Sequence, residues 1–124
     1  MEQIREISAL RGLISGLAIE LGALNFDDEC FVNIDENIEA YAEALGRKDY
    51  QLVLKKNQEF HELLANNPQY PWCYRLLENM HGMISAQRHG MPPQHNRLAE
   101  ALDEHRSIRD MLRAGAFKAA ANMV

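Results

Sequence analysis

The apolar residues of this chain recur almost everywhere at intervals of three and four positions, which is the spacing of one helix face. In the first such stretch, residues 2–24, Ile7, Ile14 and Leu21 share a face and charged residues lie elsewhere. No segment alternates apolar and polar residues in the way that a half-buried strand does. The pattern therefore predicts an all-α fold.

Glycine, proline, asparagine and aspartate interrupt the pattern and divide the chain into about six helices. Gly46 is expected at C′, just beyond the end of the second helix, and Asp49 as the N-cap of the third. The later helices are expected over about residues 28–45, 50–65, 72–88 and 94–113, with a short last one from about Ala116. Connections this short favour an antiparallel bundle, and residues 1–124 are expected to form a single domain.

Composition excludes several classes of protein. With 13 basic and 18 acidic residues the net charge is −5, so the chain is a poor candidate for binding nucleic acid by itself. No apolar run reaches the roughly 18–20 residues that span a bilayer, and the N-terminus lacks a signal-peptide pattern. Two cysteines, Cys30 and Cys73, are too few for a disulfide scaffold and indicate a cytoplasmic protein with buried thiols.

Three polar residues fall on apolar helix faces. Asn57 and His61 lie one turn apart in the middle of the third helix's apolar face, and His105 lies at the centre of the fifth helix's face. A buried amide or imidazole must find partners or it costs a few kcal/mol. These residues could line a shared polar cavity, or each could be hydrogen-bonded separately within the core.

Arg11 lies on the flank of the first helix's apolar face, where its guanidinium requires an anion. That anion could be a bound organic acid or a glutamate of the second helix, namely Glu36, Glu39 or Glu43. The other histidines, His81, His89 and His95, are interpreted as surface residues at a helix edge or beside the proline loop.

An enzyme is not expected. A ferritin-like metal bundle needs carboxylates on four helices and two Glu-x-x-His pairs, whereas this chain has one pair, Glu78 and His81, and His81 is not expected to face inward. The sequence also lacks a glycine-rich phosphate loop and a Gly-x-Ser-x-Gly turn.

Several short motifs, in this order and spacing, resemble the FCD domain, the effector-binding domain of the fatty-acid-responsive branch of the GntR transcription regulators. They are Asn57-Gln58-Glu59-Phe60-His61, Glu104-His105-Arg106-Ser107-Ile108, Ala114-Gly115-Ala116, Ala119-Ala120-Ala121-Asn122-Met123 and Ile7-Ser8-Ala9-Leu10-Arg11. The resemblance covers essentially the whole chain. It implies a helical bundle that forms a homodimer, binds a small carboxylate effector and modulates a winged-helix DNA-binding domain, which would precede Met1.

The resemblance also implies one divalent metal, zinc or nickel, held by Asn57, His61 and His105, with the effector bound by these residues and Arg11. Asn57 stands where the family has an aspartate, and an amide is the weaker ligand. Ser15 replaces the family's glutamate, and the family's last histidine would follow Met123 by two or three residues. Metal affinity should therefore be reduced. The alternative is a degenerate domain, kept for structure or dimerisation, without metal or effector.

Overall fold

The computed structural model describes residues 2–23, 26–67, 69–87 and 95–124. They form six helices: α1 (Glu2–Leu21), α2 (Asp28–Gly46), α3 (Tyr50–Ala65), α4 (Pro71–Gln87), α5 (His95–Arg113) and α6 (Phe117–Met123). The described ranges contain no strand. The all-α bundle predicted from the sequence is therefore confirmed, with helix ends within about three residues of the expected ones.

Side-chain caps account for two of the helix starts. The carboxylate of Asp27 accepts a hydrogen bond from the Cys30 backbone N–H (2.9 Å) and so caps α2. Asp49 caps α3 through the N–H of Leu52 (3.3 Å), as predicted. The prediction for Gly46 needs a correction, because this residue is the last of α2 and the left-handed conformation falls instead on Lys48, with φ 61°.

The helices pack in two groups. Helix α1 contacts α3, α4 and α6, whereas α2 contacts α3 and α5. Helix α3 contacts α4 as well as α1 and α2, and it therefore lies between the α1–α4 pair and the rest of the bundle. This central position brings side chains of α3 to the junction of the two groups.

The described residues form two apolar clusters in the interior. The larger one, here called the main core, joins α2, α3 and α5 with single residues of α1 and α6. The smaller one, the minor core, joins Ala18 of α1, Ala65 of α3, and Cys73 and Leu77 of α4. The buried members of the main core are Ile19, Ile34, Ile38, Tyr41, Ala44, Val53, Phe60, Leu64, Leu98, Ala101, Leu102, Ile108, Leu112 and Ala120.

Helices α1 and α6 approach each other closely at Gly16. A Cβ atom on this residue would lie 2.8 Å from the backbone carbonyl oxygen of Ala121, which is closer than real Cβ contacts. Gly16 is therefore required for the helices to lie at this distance. The neighbouring Ser15 is fully buried.

Helices α1 and α4 also expose apolar side chains. On α1 these are Leu10, Leu13, Leu17 and Leu21, and on α4 they are Trp72, Leu76 and Met83. Each set recurs at helical spacing and so forms a stripe along its helix. No described helix is long and apolar enough to cross a membrane.

Candidate functional site

Three buried histidines from three helices meet beside α1. His61 of α3, His81 of α4 and His105 of α5 have only 5%, 3% and 3% of their surface exposed. The ring centre of His61 lies 6.2 Å from that of His81 and 6.0 Å from that of His105. We call these three residues, with Ser15 of α1, the histidine cluster.

His61 is the central residue of the histidine cluster. Its Nδ1 lies 3.3 Å from the hydroxyl oxygen of Ser15, within hydrogen-bond distance. Its neighbour Phe60 presents a ring nearly perpendicular to the imidazole, with the two centres 5.9 Å apart. The helical position of His61 therefore links α3 to α1 by a polar contact inside the bundle.

His105 lies on the side of the histidine cluster that faces the main core. Its ring stacks on that of Phe60, with centres 3.8 Å apart and planes 7° from parallel. The rings of Tyr41 and His105 pack edge to face, with their centres 5.4 Å apart. Its Nδ1 atom is buried and has no hydrogen-bond partner within the described residues. The ring is thus held firmly while one of its polar atoms is left unsatisfied.

His81 connects the histidine cluster to the surface. Its Nδ1 lies 3.4 Å from Oε1 of Glu62, a residue of α3. Glu62 also lines an open cleft of about 460 Å³, together with Asn37, Glu59 and Tyr74. On the inner side of the ring, Nε2 of His81 is buried and lacks a partner among the residues that the structure describes. Two of the three histidines therefore bury an unsatisfied ring nitrogen.

The environment keeps these imidazoles neutral. Burial is the main cause that lowers the pKa of His81 to about 4 and that of His105 to about 3, and it holds the pKa of His61 well below its usual value. In each case the positive charge of Arg11 lowers the pKa further. The half-buried Arg11 is therefore electrostatically close to all three rings.

Two of the residues selected from the sequence come together as expected, since His61 and His105 are buried neighbours. Arg11 acts on the same site through its charge. Asn57 was expected in the middle of the buried face, but it is half-buried.

The interpretation of His81 as a surface residue is wrong. It lies four residues after the buried Leu77 and three before the buried Ile84, and this spacing was the signal that could have identified it. His89 lies outside the described residues, and the same is true of the side chain of His95, so their predicted exposure stays a prediction.

The donor set does not fit a metal ion as it is arranged. Within the described residues, no three His, Cys, Asp or Glu side chains lie close enough together to hold one.

Comparison with protein families gives one match. The family model of the FCD domain matches residues 6–124, essentially the whole chain. The searches of curated proteins and of solved structures gave no significant match. The chain therefore belongs to the FCD family, whose members are regulatory sensing domains of GntR-type regulators.

Proposed function

We propose that this FCD domain senses a small carboxylate, which binds in the histidine cluster and modulates DNA binding by a separate domain of a GntR-type regulator. The observation that carries the proposal is the pair of buried, unsatisfied nitrogens, Nε2 of His81 and Nδ1 of His105. A buried polar atom without a partner costs about 1–3 kcal/mol. A ligand that supplies the missing partners recovers this cost on binding.

Electrostatics support an anionic ligand. The positive charge of Arg11 reaches all three histidines. A carboxylate beside Arg11 gains Coulombic energy in a site from which water is largely excluded. The site thus favours organic acids over neutral or cationic compounds of the same size.

Because the described donors do not converge on one point, we propose that the acid binds without a metal. Calorimetric titration with a panel of organic acids tests whether an acid binds and whether it needs a metal. The titration is run with EDTA, with added zinc and with added nickel. We expect equal affinity in all three buffers. Binding that requires zinc or nickel would restore a metal to the site and contradict metal-free binding.

Variants of the site give the sharper test. Arg11→Gln should weaken acid binding at least about tenfold, while Arg106→Gln, at an exposed position of α5, serves as the matched control. The double variant His61→Leu/His105→Leu should stay folded and should no longer bind the acid. If no acid of the panel stabilises the wild-type protein, the sensing proposal fails and the structural alternative replaces it.

We further propose that a second copy of this chain covers the exposed stripes of α1 and α4. Exposed apolar faces of this kind mark association sites, and two helices packed side by side can form a self-complementary two-fold interface. Leu13 and Trp72 are the most exposed members, at 70% and 67%.

Sedimentation analysis tests the dimer. The wild-type protein should be a dimer, and Leu13→Glu/Trp72→Glu should be a monomer with unchanged helix content. Val32→Glu, which places the same charge on an exposed apolar position of α2 (54%), should remain dimeric. A wild-type monomer at high micromolar concentration would contradict this part of the proposal.

A further inference from the structure

We propose that the open cleft lined by α2, α3 and α4 binds a small organic ammonium ion, the protonated form of an aliphatic amine, through the side-chain oxygen of Asn37 and the carboxylate of Glu36. The members of the histidine cluster are not among the described residues that line this cleft. The cleft is therefore a second ligand site, which goes beyond the proposed sensing function and does not depend on it.

The wall of the cleft contains an unsatisfied amide oxygen. Asn37 of α2 lines the cleft, and only 6% of its surface is exposed. Its Nδ2 donates a 3.0 Å hydrogen bond to the backbone oxygen of Lys56 in α3, which directs Oδ1 away from that carbonyl. Oδ1 is buried and has no partner among the described residues. A hydrogen-bond donor that enters the cleft can satisfy this oxygen and recover the cost of its burial.

The charge of the cleft favours a donor that is also a cation. Three glutamates and one lysine line it: Glu36, Glu59, Glu62 and Lys56. Nζ of Lys56 lies 3.0 Å from Oε2 of Glu59 and compensates one carboxylate, so negative charge remains in excess. A primary ammonium group carries three N–H donors and a positive charge, which suits a wall that contains both an amide oxygen and the carboxylate of Glu36.

The size and the lining of the cleft favour an organic cation over a metal ion. Its volume of about 460 Å³ is in the range of small-molecule sites, and no three His, Cys, Asp or Glu side chains of the described residues lie close enough together to hold a metal. Tyr74 of α4 adds an aromatic ring, and ring faces attract organic cations. Burial and the negative charges of Glu62 and Glu78 raise the pKa of the Tyr74 hydroxyl, so the negative potential extends to this ring.

Three probes of similar size or charge test the cleft. Putrescine, a four-carbon diamine, is titrated into the protein by calorimetry at constant ionic strength, beside magnesium chloride and 1,4-butanediol. We expect putrescine to bind at least about tenfold more tightly than magnesium, which has the same charge, and than the uncharged diol. In nitrogen-15 spectra, the side-chain amide signals of Asn37 should shift on addition of putrescine and stay in place with the diol.

Variants assign the binding to named side chains. Asn37→Leu should weaken putrescine binding at least about tenfold, because it removes the unsatisfied oxygen. Glu36→Gln, at an exposed position that leaves the fold intact, should weaken it about threefold. Glu39→Gln is the matched control, because it removes the same charge from an exposed position of α2 that is not among the described lining residues. This control should bind putrescine as the wild-type protein does.

Each outcome decides for or against the cleft. Putrescine binding that shifts the Asn37 signals and responds to Glu36→Gln but not to Glu39→Gln supports it, whether or not an acid binds at the histidine cluster. Equal weakening by the two glutamate variants, or equally tight magnesium binding, would reveal a general attraction of cations to an acidic surface and overturn the inference. A putrescine dissociation constant above about 10 mM would overturn it as well. Neither result affects the proposed sensing of acids.

Discussion

The main core and the histidine cluster are equally buried, yet they treat their polar atoms differently. In the main core the hydroxyl of Tyr41 donates a 2.6 Å hydrogen bond to the carbonyl oxygen of Leu98. In the histidine cluster, Nδ1 of His105 has no partner within the described residues, although its ring packs against that same Tyr41. A buried polar group that the fold leaves unsatisfied is a position where an ordered water or a ligand can bind.

Phe60→Ala should have the largest effect on stability, because Phe60 belongs to the main core and also contacts the histidine cluster. It is fully buried in the main core and stacks on His105. Removing a buried phenyl ring should lower the free energy of unfolding by about 3–5 kcal/mol. Urea unfolding at pH 7 measures this loss. A loss below about 1 kcal/mol would show that the two regions do not share this residue as a packing contact.

Acid should destabilise the protein through the histidine cluster. The folded-state pKa values of His81 and His105 lie near 4 and 3, below the unfolded value of 6.5, so the unfolded chain binds more protons between these limits. Stability is therefore full above pH 6.5 and falls as the pH decreases. From pH 7 to pH 5 we expect a loss of about 1–2 kcal/mol for each of these histidines.

Urea unfolding at a series of pH values measures this loss. The variant His81→Leu/His105→Leu should show a flatter pH profile than the wild-type protein. A wild-type stability that is constant between pH 7 and pH 5 would mean that these histidines are accessible to protons in the folded state.

Two glycine variants test the close approach of α1 and α6. Gly16→Ala should lower the unfolding free energy by about 1–3 kcal/mol, because its Cβ would collide with the Ala121 backbone oxygen. Gly82→Ala, in α4, meets nothing within 4 Å and should instead stabilise the protein by up to about 1 kcal/mol. Differential scanning calorimetry compares the two variants. A change in unfolding free energy of the same sign in both would contradict the packing of α1 on α6.

The smallest effects should come from the polar atoms themselves. Tyr41→Phe removes the donor to the Leu98 carbonyl and should cost about 1 kcal/mol. His105→Leu removes an unsatisfied nitrogen and should leave stability unchanged or raise it slightly. If His105→Leu costs more than Tyr41→Phe in urea unfolding, the imidazole is satisfied in solution and the contrast between the two regions fails.

The helical fold and half of the site follow from the sequence. Caps such as Asp49 and breaks such as Ala114-Gly115 are local signals, and the structure places helix boundaries there. His61 and His105 could be placed inside because each helix has one dominant apolar face. For α3 and α5, spacing alone was sufficient to identify the inward histidines.

Helix α4 is different, because it has two apolar stripes. Cys73, Leu77 and Ile84 are buried, while Trp72 and Met83 are exposed. With apolar residues on both sides, spacing alone cannot tell which face is inward, and His81 was therefore placed outside. Asn57 differs from its prediction in the opposite direction: it has the spacing of the buried face of α3 but is only half-buried. How deeply a position is covered depends on the neighbouring helices, which the sequence pattern does not specify.

The contact between α1 and α6 has a consequence for synthesis of the chain. Gly16 and Ala121 touch although about a hundred residues separate them, and such long-range contacts form late in folding. A growing chain on the ribosome cannot complete the packing of α1 until residue 121 has emerged. Until then Ile19, which shares the main core with Ala120 of α6, lacks this part of its packing, and exposed apolar surface of this kind favours aggregation of a nascent chain.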